Sequence, residues 1–203
     1  MIRLLSFLLF AFAANVLAQG TPTPPSLAAK SYVLYDYQAN QMLVAHNPDE
    51  RIEPASLTQL INAYVVFNAL KQKTLKLDQT VPVSQRAWKA EGSRTFIEPR
   101  TPVTVNELLH GMIVQSGNDS SIALAEAVAG SEESFSQLMN KEAKRLGLAN
   151  TSFTNSTGLP DPQLYSTAAD MAKLAAALIR DHPEYYPLYS LKDYTYNKIK
   201  QRN

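Results

Sequence analysis

The chain has 203 residues, 45% apolar and 18% charged, with 19 Lys and Arg against 18 Asp and Glu. That is enough for one domain with a sizeable core, and a net charge of +1 gives no electrostatic case for nucleic acid or an anionic surface as partner. Cysteine is absent, which excludes disulfides and thiolate metal sites, and His46, His110 and His182 show no metal-ligand spacing, so each is expected to be a surface or a satisfied histidine.

The opening "MIRLLSFLLFAFAANVLAQG" has one cation, Arg3, then an apolar run from Leu4 to Ala14, and reaches Val16-Leu17-Ala18. It reads as a secretory signal peptide over residues 1–18, cleaved after Ala18, which implies export. Residues 19–30 are Pro- and Thr-rich and read as a flexible N-terminus. Two β-rich runs follow, Ser31–Tyr37 and Gln41–His46, and Gln38-Ala39-Asn40 between them predicts a hairpin. Pro54 precedes a helix predicted over about Ala55–Leu70, with Leu57, Leu60, Ile61, Tyr64, Val65 and Leu70 near helical spacing. The Pro- and Gly-containing stretch after it reads as a connecting excursion with short strands.

Thr104 with Glu107 three residues on is a capping-box pattern for a helix over Val105–Ile113. "QSGND" breaks it, and a second helix is predicted over Ser120–Ala129, closed by Gly130. Ser131 caps a third, Glu132–Leu146, acidic in its first turn and basic in its last. "LANTSFTNSTGLPDPQLYS" is loop, Thr167 opens a helix to about Arg180, and "YSLKDYTYNKIKQRN" reads as one incipient strand. The class is α/β of the α+β type. A two-stranded sheet is a poor partner for five helices, so most of the sheet is expected after Asn203.

Two places can carry chemistry. Ser56 stands near a helix start with Gln59 at i+3, on the same face. A partly desolvated lysine at that spacing could take the serine proton, and the helix N-terminus would favour the developing negative charge. Gln59 has the geometry and lacks the basic nitrogen. Ser116-Gly117-Asn118, about sixty residues later between two helices, offers a hydroxyl and an amide. Either motif alone is weak.

Together and in context they are specific. The serine penicillin-recognising enzymes use Ser-x-x-Lys, Ser-x-Asn and Lys-Thr-Gly. Through "SYVLYDYQANQMLVAHNPDERIEPASLT", the stretch from Glu107 to Pro160 and "YSTAADMAKLAAALI", the chain resembles the low-molecular-mass penicillin-binding proteins that are D-alanyl-D-alanine carboxypeptidases. The resemblance implies a β-lactamase/transpeptidase-like fold, an antiparallel sheet with a helical cluster, lying over residues 31–203. It makes Ser56 the nucleophile that is acylated by the penultimate D-Ala, Ser116 the proton relay and Asn118 the substrate-binding amide, and it puts Gln59 where the family has its base lysine. It implies no metal and no organic cofactor. Peptidoglycan stem peptides are the implied substrates and β-lactam antibiotics the implied inhibitors, in the periplasm. A membrane surface would be met only through a C-terminal anchor, which this sequence lacks. Lys-Thr-Gly does not occur in the sequence and is expected after Asn203, so the domain reads as incomplete and the enzyme as impaired or inactive. A non-catalytic peptidoglycan-binding protein is the alternative. A class A β-lactamase is the weaker one: its middle motif is usually Ser-Asp-Asn, and the loop "NTSFTNSTGLPDPQLYS" has no glutamate to deacylate.

Overall fold

Most of the molecule is built around one helix that is apolar on nearly every side. In α1 (Thr58–Lys71), residues Ile61, Ala63, Tyr64, Val65, Val66, Phe67, Ala69 and Leu70 are all buried. A helix with no polar face has to be surrounded, and α1 is packed by α3 (Val105–Gln115), α4 (Asn118–Ala129), α5 (Glu132–Arg145) and α6 (Ala168–Asp181). A short helix, α2 (Gln85–Trp88), leans on α4 and was not expected from the sequence. This computed structural model describes residues 24–203; the signal-peptide reading of residues 1–18 falls outside the described residues.

The helix ends follow their caps. The Thr104 hydroxyl accepts from the Glu107 amide at 3.2 Å and the Glu107 carboxylate accepts from the Thr104 amide at 2.8 Å, completing the box. The Ser131 and Thr167 hydroxyls cap α5 and α6 by accepting from the Ser134 and Asp170 amides. One boundary differs in a way that matters. α4 starts at Asn118 rather than Ser120, because Gly117 serves as its N-cap and takes the Ser121 amide at 2.9 Å.

Among the described residues, three separate two-stranded antiparallel sheets flank the helices: β1–β2 (Tyr32–Asp36 and Gln41–His46), β3–β4 (Thr80–Val81 and Val103–Thr104) and β5–β6 (Asp193–Tyr196 and Ile199–Arg202). The mixed α/β class stands. The single C-terminal strand does not: it is a hairpin with Tyr194 opposite Gln201, turned at Asn197 and Lys198, whose φ values are +46° and +65°. Two left-handed residues make a turn that matches strand twist. A lysine in place of the usual glycine hides the turn in the sequence.

The histidine expectation needs one correction. His46 is exposed and stacks on Tyr32, and His110 Nδ1 lies 2.8 Å from the Asn106 carbonyl. His182 is fully buried, and neither of its ring nitrogens has a hydrogen-bond partner.

Candidate active site

Ser56 sits in a single 3₁₀ turn, Ala55–Leu57, that leads into α1. Three features pin this turn. Ile52 exchanges two backbone hydrogen bonds with Ser166, at 2.8 and 3.0 Å, which ties the entering chain to the start of α6. Ala55 is left-handed, with φ +46°, a conformation that costs a non-glycine residue roughly 1–2 kcal/mol. Gly158 presses against it, with a position for Cβ only 1.8 Å from the Ala55 carbonyl oxygen, so no side chain fits there. The loop carrying Gly158 is held from below: the buried Glu132 carboxylate accepts from the Ser156 amide and hydroxyl at 2.9 and 2.7 Å, and Asn155 Oδ1 accepts from the Gly158 amide at 2.7 Å.

Ser116 comes from the other side. It ends α3 in the left-handed region, φ +56° and ψ +37°, and so projects into the gap between α3 and α4. Gly117 has to be glycine because a Cβ would stand 2.3 Å from Thr95 Oγ1. Asn118 is the first residue of α4; its amide nitrogen donates to Ser93 O at 2.8 Å and its Nδ2 to Glu91 O at 2.7 Å.

The four residues singled out in the sequence meet. Ser116 Oγ is 2.9 Å from Ser56 Oγ and 3.1 Å from Gln59 Oε1. Gln59 Nε2 donates to the Ser116 carbonyl at 3.3 Å and to Asn118 Oδ1 at 3.2 Å. These two acceptors fix which way the amide points. Ser116 Oγ is the donor toward both Ser56 Oγ and Gln59 Oε1, and its single proton serves one acceptor at a time. The chain of contacts from Ser56 through Ser116 ends on a carboxamide oxygen.

Clefts open on both sides of Ser56. One, of about 210 Å³, is lined by Glu53, Asn118 and the Thr157–Asp161 loop. The other, of about 380 Å³, is lined by Leu57, Leu60, Met112, Ile113 and Tyr189. The Tyr189 hydroxyl has no partner, and burial pushes its pKa up, so it stays a donor. Sequence reasoning missed Tyr189, Glu91 and the Ala55–Gly158 contact. Only the glycine within "NSTG" hinted at the last. Among the described residues no group of three or more His, Asp or Glu could hold a metal ion.

A family model described as D-alanyl-D-alanine carboxypeptidase matches residues 18–203. The chain belongs to the D-alanyl-D-alanine carboxypeptidase family. The carboxypeptidase DacA of Haemophilus influenzae is 46% identical over 184 residues, covering 89% of this chain and 47% of the relative. DacC of Escherichia coli is 46% identical over 205 residues, covering 98% and 51%. In structure, penicillin-binding protein 5 from Haemophilus influenzae superposes with a TM-score of 0.88 at 46% identity, over 90% of this chain and 54% of that one. Penicillin-binding protein D2 from Listeria monocytogenes, solved in an ampicillin-bound form, superposes at 0.78 with 26% identity, over 89% and 73%. The fold is thus the penicillin-binding, transpeptidase-like one. The chain spans about half the length of the curated carboxypeptidase relatives it matches.

Proposed function

We propose that this cleft is the acyl-transfer site of an exported D-Ala-D-Ala carboxypeptidase that acts on peptidoglycan stem peptides and takes β-lactams, and that Gln59 has disabled its first step. Ser56 is the nucleophile. Its oxygen would attack the penultimate D-Ala carbonyl, its proton would travel to the leaving D-alanine amine, and water would later release the shortened peptide. The position of Ser56 ahead of α1 supports this, because the positive end of the helix favours the developing charge. Asn118, on the cleft wall, is suited to hold the peptide backbone.

The observation that carries the impairment is the end of the hydroxyl relay. Ser116 can pass a proton on, but Gln59 Oε1 is not a base. Losing a general base costs roughly 10²–10⁴-fold in rate, and more where base and nucleophile act as a unit. The same observation favours a second reading, a protein that binds peptidoglycan peptides without turning them over, since Ser56, Ser116 and Asn118 still meet beside open clefts.

Labelling by a fluorescent penicillin tests both. The 203-residue chain should label at Ser56 too slowly to see in minutes, and Gln59→Lys should raise the labelling rate by roughly 10²–10⁴-fold, the worth of a general base. Prompt labelling of the unaltered chain at Ser56 would show that another group takes the proton. No gain from a folded Gln59→Lys would favour the binding protein.

A further inference from the structure

His182 is the one imidazole with no exposure, and the site described above makes no use of it. It follows α6 directly and wedges between the Tyr64 and Phe67 rings of α1, at centroid distances of 4.9 and 5.5 Å. Both nitrogens are enclosed without a partner. A neutral imidazole tolerates this at the cost of one unmade N–H bond; an imidazolium would leave two donors and a charge unpaired. The charged groups around it do not rescue the cation. Burial is the largest influence and opposes it, Lys71 from α1 and Arg145 from α5 oppose it too, and Glu184 and Asp181 favour it without reversing the balance, so the ring's pKa lies below the ordinary 6.5. Asp181 is already engaged by Arg180 and by the Tyr64 hydroxyl. The Tyr64 ring already carries the Arg145 guanidinium, 5.7 Å from its centroid.

What His182 holds is the eight residues that follow it, as far as Ser190. Its carbonyl accepts from the Tyr185 amide at 3.1 Å, and Tyr185 stacks on Phe67 at 4.4 Å. The Tyr185 carbonyl accepts from Leu188 in the 3₁₀ turn Tyr186–Ser190, and that turn places Tyr189 on the cleft wall. We propose that His182 is a proton-operated latch: on acidification it takes up a proton only by leaving its pocket, and this loosens the 182–190 segment and with it the Tyr189 wall of the Ser56 cleft.

The sign follows from linkage. The open state binds the proton at the ordinary value and the closed state does not, so closure is complete above pH 6.5 and weakens as pH falls below it. The open fraction gains up to tenfold per pH unit until the closed-state pKa is reached. Hydrogen exchange on the 203-residue chain, corrected for intrinsic rates, should show the Tyr185 and Leu188 amides opening several-fold more at pH 5.5 than at 7.0, with the buried amides of α3 unchanged. His182→Phe should remove that dependence. In wild type, the imidazole resonance absent from His182→Phe should titrate below the ordinary 6.5. A His182 resonance titrating near 6.5 in the closed protein, the same pH dependence in His182→Phe, or parallel loss of protection in α3 would each overturn the latch.

Discussion

Asp119→Asn should be among the most damaging single-atom changes available in this chain. Asp119 is 1% exposed and lies next to the candidate substrate-binding residue Asn118. Its Oδ1 accepts from the Thr95 and Ser120 amides, both at 2.8 Å; its Oδ2 accepts from Phe96 at 2.8 Å and Ile97 at 3.1 Å. The carboxylate gathers three successive amides of a loop in which Phe96 is left-handed, with φ +68°. Asparagine keeps the shape but turns an NH₂ toward two N–H donors whichever way it is rotated. Two hydrogen bonds to a charged acceptor are lost, at about 1.5–3 kcal/mol each, so the expected loss is about 3–6 kcal/mol. That is a large part of the roughly 5–15 kcal/mol that holds a domain together. The damage should reach the cleft, because the same loop supplies the Ser93 and Glu91 carbonyls that hold Asn118, and the Ser93 hydroxyl donates to Gln115 O at 2.7 Å. Urea unfolding followed by the emission of Trp88, the sole tryptophan, measures it. A loss below about 1 kcal/mol, less than one charged hydrogen bond, would refute the assignment of the carboxylate as the anchor of this loop.

Two further outcomes follow from the same geometry. Gly158→Ala would drive Cβ into the Ala55 carbonyl, 1.8 Å away, from a backbone at φ +89°; it should cost about 2–4 kcal/mol from overpacking and left-handed strain together, read by thermal melting, and an alanine variant as stable as wild type would mean the loop does not brace the Ser56 turn. Asp181, whose carboxyl is pulled from 3.8 to about 2, first by Arg180 and also by the Tyr64 hydroxyl, contributes stability that is present above pH 4 and lost as pH falls through about 2, so the deficit of Asp181→Asn, roughly 2 kcal/mol at pH 7, should vanish in urea melts near pH 2; a deficit constant with pH would contradict the linkage.

What was legible in the sequence was local. Thr104 with Glu107, Ser131 and Thr167 announce helix starts because a cap acts within three residues of itself. Gln59 and Ser56 could be placed on one face because i and i+3 always share one. The start of α4 lies two residues before the predicted one, since "GNDSS" offers several possible caps and the helix begins with the Gly117 carbonyl taking the Ser121 amide. The C-terminal hairpin was missed because its left-handed residues are Asn and Lys rather than Asn and Gly. The buried state of His182, the brace of Gly158 and the aim of Tyr189 depend on contacts between residues far apart in the chain, to which periodicity and propensity are blind.

The requirement at position 59 is for a hydrogen-bond donor first and a base second, and this explains why glutamine can stand there. The Ser116 carbonyl and Asn118 Oδ1 both face it as acceptors, and Asn118 cannot turn over without losing its Nδ2 bond to the Glu91 carbonyl. Glutamine answers both acceptors with one NH₂. Lysine, on a side chain one bond longer, would answer them as a neutral amine with its two N–H donors and keep a lone pair to take the serine proton. Glutamate offers a basic oxygen of the right reach and no donor at all. Gln59→Glu should therefore lose stability by about 1–3 kcal/mol for each acceptor left unpaired, or carry its carboxyl protonated; the protonated form cannot take the Ser56 proton, and the ionised form that could is the one the two acceptors disfavour. Measured beside Gln59→Lys with the same fluorescent penicillin, it should label no faster than the parent. Faster labelling by the glutamate variant would mean that basicity alone was missing and that the two acceptors do not dictate which residues this position admits.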